Sequence, residues 1–341
     1  MSPLAKIPVI DVRGAKDPAV AMFRADPSRL EALLVSGRKT YTVPGLWIAD
    51  ALSRIWARKN ASPYTGEVAA LAAALGRPGA NLLNYSYEWG CTTGACEDPG
   101  NGGVTLLRTL DWPFDGLGRN LMLAFQSGEA GDFANVTWPG FAGVLTALAP
   151  GRFAAAINQP PLRRTPFGKP VDWLVTRAIV WGNHAMPATH LLRMVFERCR
   201  DFDEARRLIQ STPISLPAIF SLAGPQPGQA IVIERTETAA HVPQQPAAAN
   251  HWAATPRPGR ARHRSSRPRL QAMSDLLARG RRGRDDWDFS WLRPPILQDD
   301  TRLAFAANPR TGRMALEGWE RNGKATERLD LDLSTALARA S

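Results

Sequence analysis

Apolar residues in the first part of the chain recur at helical spacing, between residues that start and stop helices. Within 46–59, Leu46, Trp47 and Trp56 alternate with charged residues at this spacing. The pattern is typical of a helix that packs on a core. An interfacial helix, whose Trp-rich side meets lipid or a lipid-like substrate, is the alternative. The elements predicted before residue 80 are a short strand over 7–13 and helices over 26–37, 46–59 and 66–75.

From residue 81 the pattern changes to short apolar runs separated by Gly, Pro and Asn, which predicts antiparallel hairpins. The predicted strands cover 81–89, 91–96, 104–112, 119–127, 132–138, 141–148 and 152–158. Next come helices over 171–182, 187–199 and 202–211, strands over 219–223 and 230–235, a helix over 269–279, and a hairpin of 302–307 with 313–317. Blocks of strands alternating with blocks of helices predict an α+β fold in which two sheets are layered with helices.

The formal net charge of +11 is concentrated in one place only, the Arg-rich run over 257–284. Such a run is typical of a solvated face or a loop. Contact with nucleic acid or anionic lipid is the alternative, but no nucleic-acid motif accompanies the run. The charge therefore does not by itself indicate a nucleic-acid-binding protein.

The three cysteines, at positions 91, 96 and 199, form no metal-ligand spacing and leave an odd residue over, so no disulfide framework or metal site is predicted. The N-terminal residues contain no apolar signal region, and no apolar run has the length of a membrane span. We therefore expect a cytoplasmic, reducing location, which would keep a reactive thiol reduced.

Cys91 is the candidate nucleophile because it follows Gly90 at the start of a predicted strand. The return strand of the hairpin brings Arg108 and Asp111 opposite it. Cys96, on the same strand, is predicted to point to the other side of the sheet, and Cys199 lies in an apolar helix pattern. No histidine has a papain-like context, so the thiol needs another base. The α-amine of the nucleophile's own residue, freed by cutting the chain before it, is one solution.

This chain resembles the N-terminal-nucleophile amide hydrolases, which include choloylglycine hydrolase, penicillin V acylase, acid ceramidase, N-acylethanolamine acid amidase and isopenicillin N acyltransferase. The matching blocks occur in the family's order. They are Asn84-Tyr85-Ser86-Tyr87-Glu88 before the cysteine, Gly90-Cys91-Thr92-Thr93, Arg108-Thr109-Leu110-Asp111-Trp112, the strand pair beginning at Pro139-Gly140, Asn250-His251-Trp252, and Ser265-Ser266-Arg267. Thr109 occupies a position where the family usually has Asn. Asn158-Gln159 replaces the Asp-Glu pair of the ceramidase-like members.

The resemblance implies an αββα sandwich of two antiparallel sheets between helix layers, and self-cleavage of the Gly90–Cys91 bond. Cleavage would give a mainly helical segment 1–90 and a catalytic segment 91–341, which would remain together as one domain and a heterodimer. Cys91 would form a thioester, Arg108 would lower the pKa of its thiol and amine, and Asp111 would orient the ammonium form of the amine. The oxyanion would be stabilised by Asn250.

The resemblance also implies that Arg267 completes the charge balance of the site, with Arg264 as the alternative. Asn158 is a weaker candidate for a substrate contact. No cofactor or metal is implied. The reaction is expected to be hydrolysis of a linear amide, most readily an N-acyl fatty amide such as an N-acylethanolamine, with possible peripheral contact to a membrane.

Penicillin V, bile-salt conjugates, N-acyl homoserine lactones and acyl transfer to an amine are the alternatives within the same group. A non-enzymatic protein that docks on an anionic partner through 257–284 is the alternative from another class.

Overall fold

Helices form most of the N-terminal part of the chain, as the apolar spacing predicts. The structure is a computed structural model and describes residues 3–86, 89–280 and 286–339. The helices are α1 (Pro18–Ala25), α2 (Pro27–Tyr41), α3 (Val43–Ala57), α4 (Thr65–Leu75), α5 (Ala80–Tyr85), α6 (Lys169–Gly182), α7 (Ala188–Arg198), α8 (Phe202–Ser211), α9 (Ser266–Ala278) and α10 (Leu333–Arg339), with a 3₁₀ turn at Asp286–Asp288. Within those residues, no helix is both long and apolar enough to cross a membrane.

The strands agree with most of the predicted hairpins. They are β1 (Val9–Asp11), β2 (Gly90–Glu97), β3 (Val104–Asp111), β4 (Met122–Gly128), β5 (Gly131–Thr137), β6 (Thr146–Ala149), β7 (Phe153–Asn158), β8 (Leu162–Arg163), β9 (Ala218–Ala223), β10 (Ala230–Arg235), β11 (Ala240–His241), β12 (Ala247–Ala248), β13 (Gly259–Arg260), β14 (Thr301–Asn308), β15 (Arg313–Glu320), β16 (Gly323–Lys324) and β17 (Leu329–Asp332).

The prediction of a strand over 81–89 is wrong, because most of this segment is helix α5. Asp50 of α3 explains the difference. Its Oδ1 accepts hydrogen bonds from the backbone amides of Gly79, Asn81 and Leu82 at 2.9–3.0 Å. A helix needs acceptors for its first amides, and here a carboxylate distant in sequence supplies them. Tyr87 and Glu88, which belong to the resemblance, lie outside the described residues.

Two sheets form the centre of the molecule. The first has the order β1-β4-β5-β6-β7-β9-β10-β11, and the second has the order β12-β2-β3-β14-β15-β16, with β17 paired to β15. Most pairs are antiparallel, and β1 joins β4 in parallel. The short strand β1 therefore ties the N-terminal part of the chain into the first sheet.

Three apolar cores define the layers. The core between the sheets contains Cys91 and Leu110 from the second sheet and Ala154 from the first. A second core joins the outer surface of the first sheet to α7 and α8, and a third joins the outer surface of the second sheet to α9. The order helix, sheet, sheet, helix confirms the predicted αββα sandwich.

Helix α9 lies unusually close to strand β2. A Cβ added to Gly94 would come within 2.5 Å of the Met273 sulfur and 3.3 Å of Leu277, so a larger residue here would force the Met273 side chain to move. The helix also changes the interpretation of the basic run, since it occupies much of 257–284. Arg257 and Arg260, near the start of the run, form ion pairs with Glu237 and Asp172. The described part of the run is thus folded, and residues 281–284 lie outside the description.

Candidate active site

Cys91 and Arg108 lie on the same side of the second sheet. In the β2–β3 ladder Cys91 pairs with Leu110 and Thr93 pairs with Arg108, and directly paired residues share a side of an antiparallel sheet. Both side chains point into the core between the sheets and are fully buried. The Arg108 Nη2 donates to the Cys91 Sγ across 3.1 Å. The hairpin predicted from the sequence therefore brings a cation into contact with the candidate nucleophile.

The Arg108 guanidinium is held by neutral oxygen atoms. Nη2 donates to the Ile157 carbonyl at 3.1 Å, and Nη1 donates to the Leu145 carbonyl and the Thr146 hydroxyl. Burial raises the pKa of the Cys91 thiol, and the positive charge of Arg108 lowers it in opposition. We predicted a lowered thiol pKa near Arg108. Arg108 does lower the pKa of the thiol, but in the uncut chain burial raises that pKa by more.

Asp111 lies on the opposite side of the sheet, where it is the ladder partner of Gly90. Its Oδ1 accepts a hydrogen bond from the Thr301 hydroxyl at 2.9 Å, and its Oδ2 accepts from Gln298 Nε2 at 3.2 Å and from Arg269 Nη1 at 3.1 Å. Burial raises the pKa of Asp111, while Arg269 and Thr301 lower it. Arg108 and Asp111 thus lie on opposite sides of the sheet and form no ion pair with each other, and Asp111 is linked to Cys91 through Arg269.

Arg269, and not Arg267, is the second arginine beside Cys91, which corrects the sequence prediction. Arg269 is fully buried, whereas Arg267 and the alternative Arg264 are both exposed. Arg269 Nη1 donates to the Cys91 carbonyl at 2.5 Å and to the Thr92 hydroxyl at 2.8 Å, in addition to Asp111. The carbonyl oxygen, a hydroxyl and a carboxylate therefore converge on one guanidinium.

The packing of α9 against β2 determines which arginine of the helix reaches Cys91. Met273 lies against Gly94, and Arg269 precedes Met273 by four residues, about 6 Å along a helix. Thr92 precedes Gly94 by two residues, about 6.6 Å along a strand. The distance from Met273 to Arg269 along α9 thus nearly equals the distance from Gly94 to Thr92 along β2. Because Met273 lies against Gly94, Arg269 lies beside Thr92 and Cys91. In the sequence, the only indication that Arg269 faces the core is its helical spacing from Ser266 and Met273, the other buried residues of α9.

Asn250 contacts the backbone nitrogen of Cys91 through its oxygen. Its Oδ1 accepts from Cys91 N at 2.9 Å and from Arg269 Nη2 at 2.7 Å, and its Nδ2 donates to the Gln159 carbonyl at 2.8 Å. The Ser266 hydroxyl accepts from Asn250 N and lies 2.8 Å from the Nδ1 of His251. In the uncut chain, Asn250 therefore holds the atom that cleavage would turn into the α-amine. The predicted oxyanion role would use the second hydrogen of Nδ2.

Asn158 lies in the same region but has structural contacts. Its Nδ2 donates to the Thr93 hydroxyl at 3.1 Å and to the Ala248 carbonyl at 3.2 Å, so it ties β7 to β2 and β12 across the two sheets. It is fully buried. Its Oδ1 has no hydrogen-bond partner among the described residues. The predicted substrate contact of Asn158 stays a prediction.

A cavity of about 450 Å³ opens at the Gly90 side of the site. Gly90, Asp111 and Arg269 are among its lining residues, together with the aromatic residues Trp89 and Trp173. Cys91 is fully buried and is not among the lining residues. The cavity therefore adjoins Gly90, the residue before the candidate nucleophile, and not the Cys91 thiol itself, which points into the core between the sheets.

The sequence reasoning missed three residues of this arrangement: Arg269, Gln298 and Thr301. Each one holds Asp111. Gln298 lies in the loop before β14, and Thr301 is the first residue of β14, where it pairs with Asp111 of β3. Nothing in their local sequence indicates such a contact.

Part of the sequence is similar to acid ceramidases. The chain is 30% identical to the acid ceramidase of Pan troglodytes over 113 residues, which cover 33% of this chain and 27% of that protein. It is 28% identical to a probable acid ceramidase of Caenorhabditis elegans over 231 residues, which cover 60% of this chain and 54% of the relative. The chain thus spans about half the length, or less, of these curated relatives. No family model matches the chain.

A solved structure shares the fold. The Caenorhabditis elegans ortholog of N-acylethanolamine-hydrolyzing acid amidase has a TM-score of 0.51 and 17% sequence identity. The alignment covers 71% of this chain and 100% of that chain. Together the comparisons confirm the predicted resemblance to this hydrolase group and the predicted sandwich fold.

Proposed function

We propose that this chain is a self-processing cysteine hydrolase of linear amides, with N-acyl fatty amides such as N-acylethanolamines as its substrates. One observation carries the proposal: both reactive ends of Cys91 already have partners. The Sγ accepts a hydrogen bond from Arg108. The backbone nitrogen donates a hydrogen bond to Asn250 Oδ1, which also accepts one from Arg269, close to Asp111. The similarity to acid ceramidases and the fold shared with an acid amidase support the same reaction class.

Self-cleavage would begin when the Cys91 thiol loses its proton and the sulfur attacks the Gly90 carbonyl carbon. The carbon–nitrogen bond then breaks, the nitrogen takes up a proton as the new α-amine, and residue 90 is held on Sγ as a thioester. Water hydrolyses the thioester to a Gly90 carboxylate and a free thiol. Arg108, at 3.1 Å from Sγ, would stabilise the thiolate against its burial.

In the processed protein the α-amine of Cys91 would serve as the base and then as the proton donor to the leaving amine. Asn250 Oδ1 already accepts from this nitrogen, and Asp111 lies across the ladder from Gly90. A second hydrogen on Asn250 Nδ2 would stabilise the oxyanion. Loss of one such donor typically costs on the order of 3 kcal/mol of barrier. Water would release the acyl group from Cys91.

A lipophilic acyl chain is supported by exposed apolar residues on α3 and α6. Trp47 and Ile48 of α3 are 60% and 61% exposed, and Leu174 of α6 is 58% exposed. The two helices meet where the Trp56 Nε1 donates to the Val180 carbonyl. An exposed apolar surface of this kind suits peripheral contact with a membrane or micelle that carries the substrate. This favours the interfacial interpretation of the helix over 46–59. A cytoplasmic location stays a prediction.

Mass spectrometry of the purified protein tests the processing step. Wild type is expected to give one fragment that ends at Gly90 and one that begins at Cys91, and the two should copurify as a heterodimer. Cys91→Ala is expected to remain full length because no nucleophile is present. Cys96→Ala and Cys199→Ala are matched controls and should be cut like wild type. Cleavage at the same bond in Cys91→Ala would refute the mechanism.

A further inference from the structure

Ser265, the residue before helix α9, directs its side chain away from the helix. A serine in this position usually accepts a hydrogen bond from one of the first helix amides. The Ser265 side chain makes no such bond. Its Oγ lies instead 2.6 Å from Nδ1 of His263, 2.7 Å from Oε1 of Gln298 and 3.1 Å from Nε of Arg269. The hydroxyl therefore links three side chains around the site.

A single proton serves these three contacts of Ser265. A serine hydroxyl donates one hydrogen bond and accepts up to two. The guanidinium of Arg269 only donates, so Oγ accepts from it. Gln298 Oε1 and His263 Nδ1 then compete for the hydroxyl proton. If Gln298 receives the proton, His263 has to supply a hydrogen of its own.

Asp111 decides this competition. Its Oδ2 accepts from Arg269 Nη1 at 3.1 Å and lies 3.2 Å from the side-chain amide of Gln298. A carboxylate oxygen beside a guanidinium is negatively charged and only accepts. The amide atom that faces it is therefore Nε2, which leaves Oε1 facing Ser265. Because an amide oxygen only accepts, the Ser265 proton goes to Gln298, and Nδ1 of His263 carries a proton.

The opposite arrangement at His263 would reverse these hydrogen bonds. The Ser265 backbone amide lies 3.3 Å from Nδ1 and would donate to that nitrogen if it carried no proton. The Ser265 hydroxyl, at 2.6 Å, would then turn to Nδ1 as well. Gln298 Oε1 would lose its donor, and the amide could rotate its oxygen toward Asp111. The two arrangements therefore differ in whether a donor or an acceptor faces a buried carboxylate.

The geometry points to a one-way chain of hydrogen bonds from His263 to Asp111. Its intermediate members are Ser265 and Gln298, and the three residues before Asp111 are positioning residues. The inference rests on the proposed function, in which ionised Asp111 orients the α-amine of Cys91. Burial raises the pKa of Asp111, and hydrogen bonds donated to the carboxylate oppose that rise. His263 is exposed and lines the cavity, so the chain runs from the cavity wall to a buried carboxylate.

Nitrogen NMR of the histidine rings tests the direction of the chain without relying on activity. The Cys91→Ala variant is used because it is expected to remain uncut, as in the structure. Its five histidines are labelled with nitrogen-15, and His263→Asn in the same background identifies the signals of His263. At pH 7, Nδ1 of His263 is expected to carry a proton. A proton on Nε2 with an unprotonated Nδ1 would overturn the inference.

Substitutions of Ser265 provide the second arm, measured as the rate of self-cleavage and as kcat/KM of the processed protein for N-oleoylethanolamine. Ser265→Ala is expected to lower both about fivefold, the size expected for one lost hydrogen bond. Ser265→Thr keeps the hydroxyl and should restore wild-type rates. In a Gln298→Met background, Ser265→Ala should have no further effect, because the chain is already broken.

Substitutions of His263 test what the first member of the chain supplies. An asparagine amide can place a donor near the position of Nδ1, so His263→Asn should keep rates within about twofold of wild type. His263→Asp offers only acceptors and should slow both reactions about as much as Ser265→Ala. His184→Asp is the matched control, since His184 is exposed and does not line the cavity, and it should leave both rates unchanged.

The other outcomes have distinct meanings. Wild-type rates in Ser265→Ala, or the same loss in Ser265→Thr, would overturn the inference and leave the proposed function intact. An undiminished effect of His263→Asp in the Ser265→Ala background would also overturn it, since the added charge would then act without the chain. Failure of the wild-type protein to cut itself or to cleave the amide would refute the proposed function, and the role of the chain with it.

Discussion

Arg193 and Arg108 are both buried, but their surroundings differ. Arg193 lies between two carboxylates: Nη1 contacts Glu67 Oε2 at 2.5 Å and Nε contacts Glu197 Oε1 at 2.8 Å. Its guanidinium also lies over the Tyr64 ring. Arg108 contacts three neutral oxygens and the Cys91 sulfur, with no ion pair among the described residues.

The difference shows which buried cation is available to a reaction. The charge of Arg193 is compensated by its own partners, and its role is to join Glu67 of the N-terminal segment to the rest of the chain. Among the described residues, the charge of Arg108 has only the Cys91 thiol with which to form an ion pair. Lack of a carboxylate is not diagnostic alone, because Arg152 meets the carbonyls of Phe196 and Cys199 at the C-terminal end of α7. A direct hydrogen bond to a thiol sulfur distinguishes Arg108 from both.

The largest expected effect is on stability. Arg193→Met would leave the buried Glu67 and the partly exposed Glu197 without their cation, and loss of the partner of a buried charge typically costs about 3–5 kcal/mol of unfolding free energy. Chemical denaturation of the processed protein measures this loss. At low temperature, where the variant still folds, cleavage at Gly90 should proceed. A stable Arg193→Met variant that fails to cleave at Gly90 would contradict the purely structural role assigned to Arg193.

Arg108→Gln is expected to show the opposite pattern. Removing the charge beside Sγ should slow both self-cleavage and hydrolysis by roughly 10²–10³-fold, comparable to loss of one charge-stabilising donor. The protein should remain folded, as measured by circular dichroism and denaturation, because glutamine can still donate to one of the neighbouring carbonyls. A variant with wild-type cleavage kinetics would exclude Arg108 from the mechanism.

Arg269→Gln and Arg267→Gln form a matched pair from one helix turn. Arg269→Gln removes hydrogen bonds to the Cys91 carbonyl, Asp111 and Asn250. The activation barriers of self-cleavage and hydrolysis are expected to rise by about 2 kcal/mol. Arg267→Gln changes an exposed side chain and should cleave and hydrolyse like wild type. The reverse result would restore the assignment made from the sequence.

A smaller and pH-dependent effect is expected at His190. Burial lowers its pKa from 6.5 to about 3, and its Nδ1 lies 2.6 Å from the Ser62 hydroxyl. Since the unfolded state binds the proton more readily, stability is full above pH 6.5 and falls as the pH drops toward 3. At pH 5 the loss is about 2 kcal/mol.

His190→Gln removes this titration, so the variant should lose less stability than wild type between pH 7 and pH 5. Denaturation midpoints at the two pH values give the comparison. Because Ser62 and His190 would belong to different fragments after processing, wild-type heterodimer should also dissociate more readily at the lower pH. Parallel pH profiles for wild type and His190→Gln would rule out His190 as the cause.

Much of the fold was predictable because local patterns agree with the tertiary structure. Helix α4 ends at Gly76, and the β2–β3 hairpin turns at the residues that permit it. Helix α5 was not predictable, since its first amides are held by Asp50 from another helix. Helix α3 combines both interpretations of its sequence: Leu46 and Trp56 are buried, while Trp47 and Ile48 are exposed.

The sequence by itself determined the hairpin that brings Arg108 to Cys91 and places Asp111 across from Gly90, because strand alternation and a short turn fix that register. Only the tertiary structure decided that Arg269 is the second arginine and that Asn250 holds the Cys91 nitrogen. Those contacts depend on how closely α9 approaches Gly94, which is a matter of packing between segments distant in the chain. Local sequence patterns predict helices, strands and turns. They do not by themselves predict which side chains from distant parts of the chain come into contact.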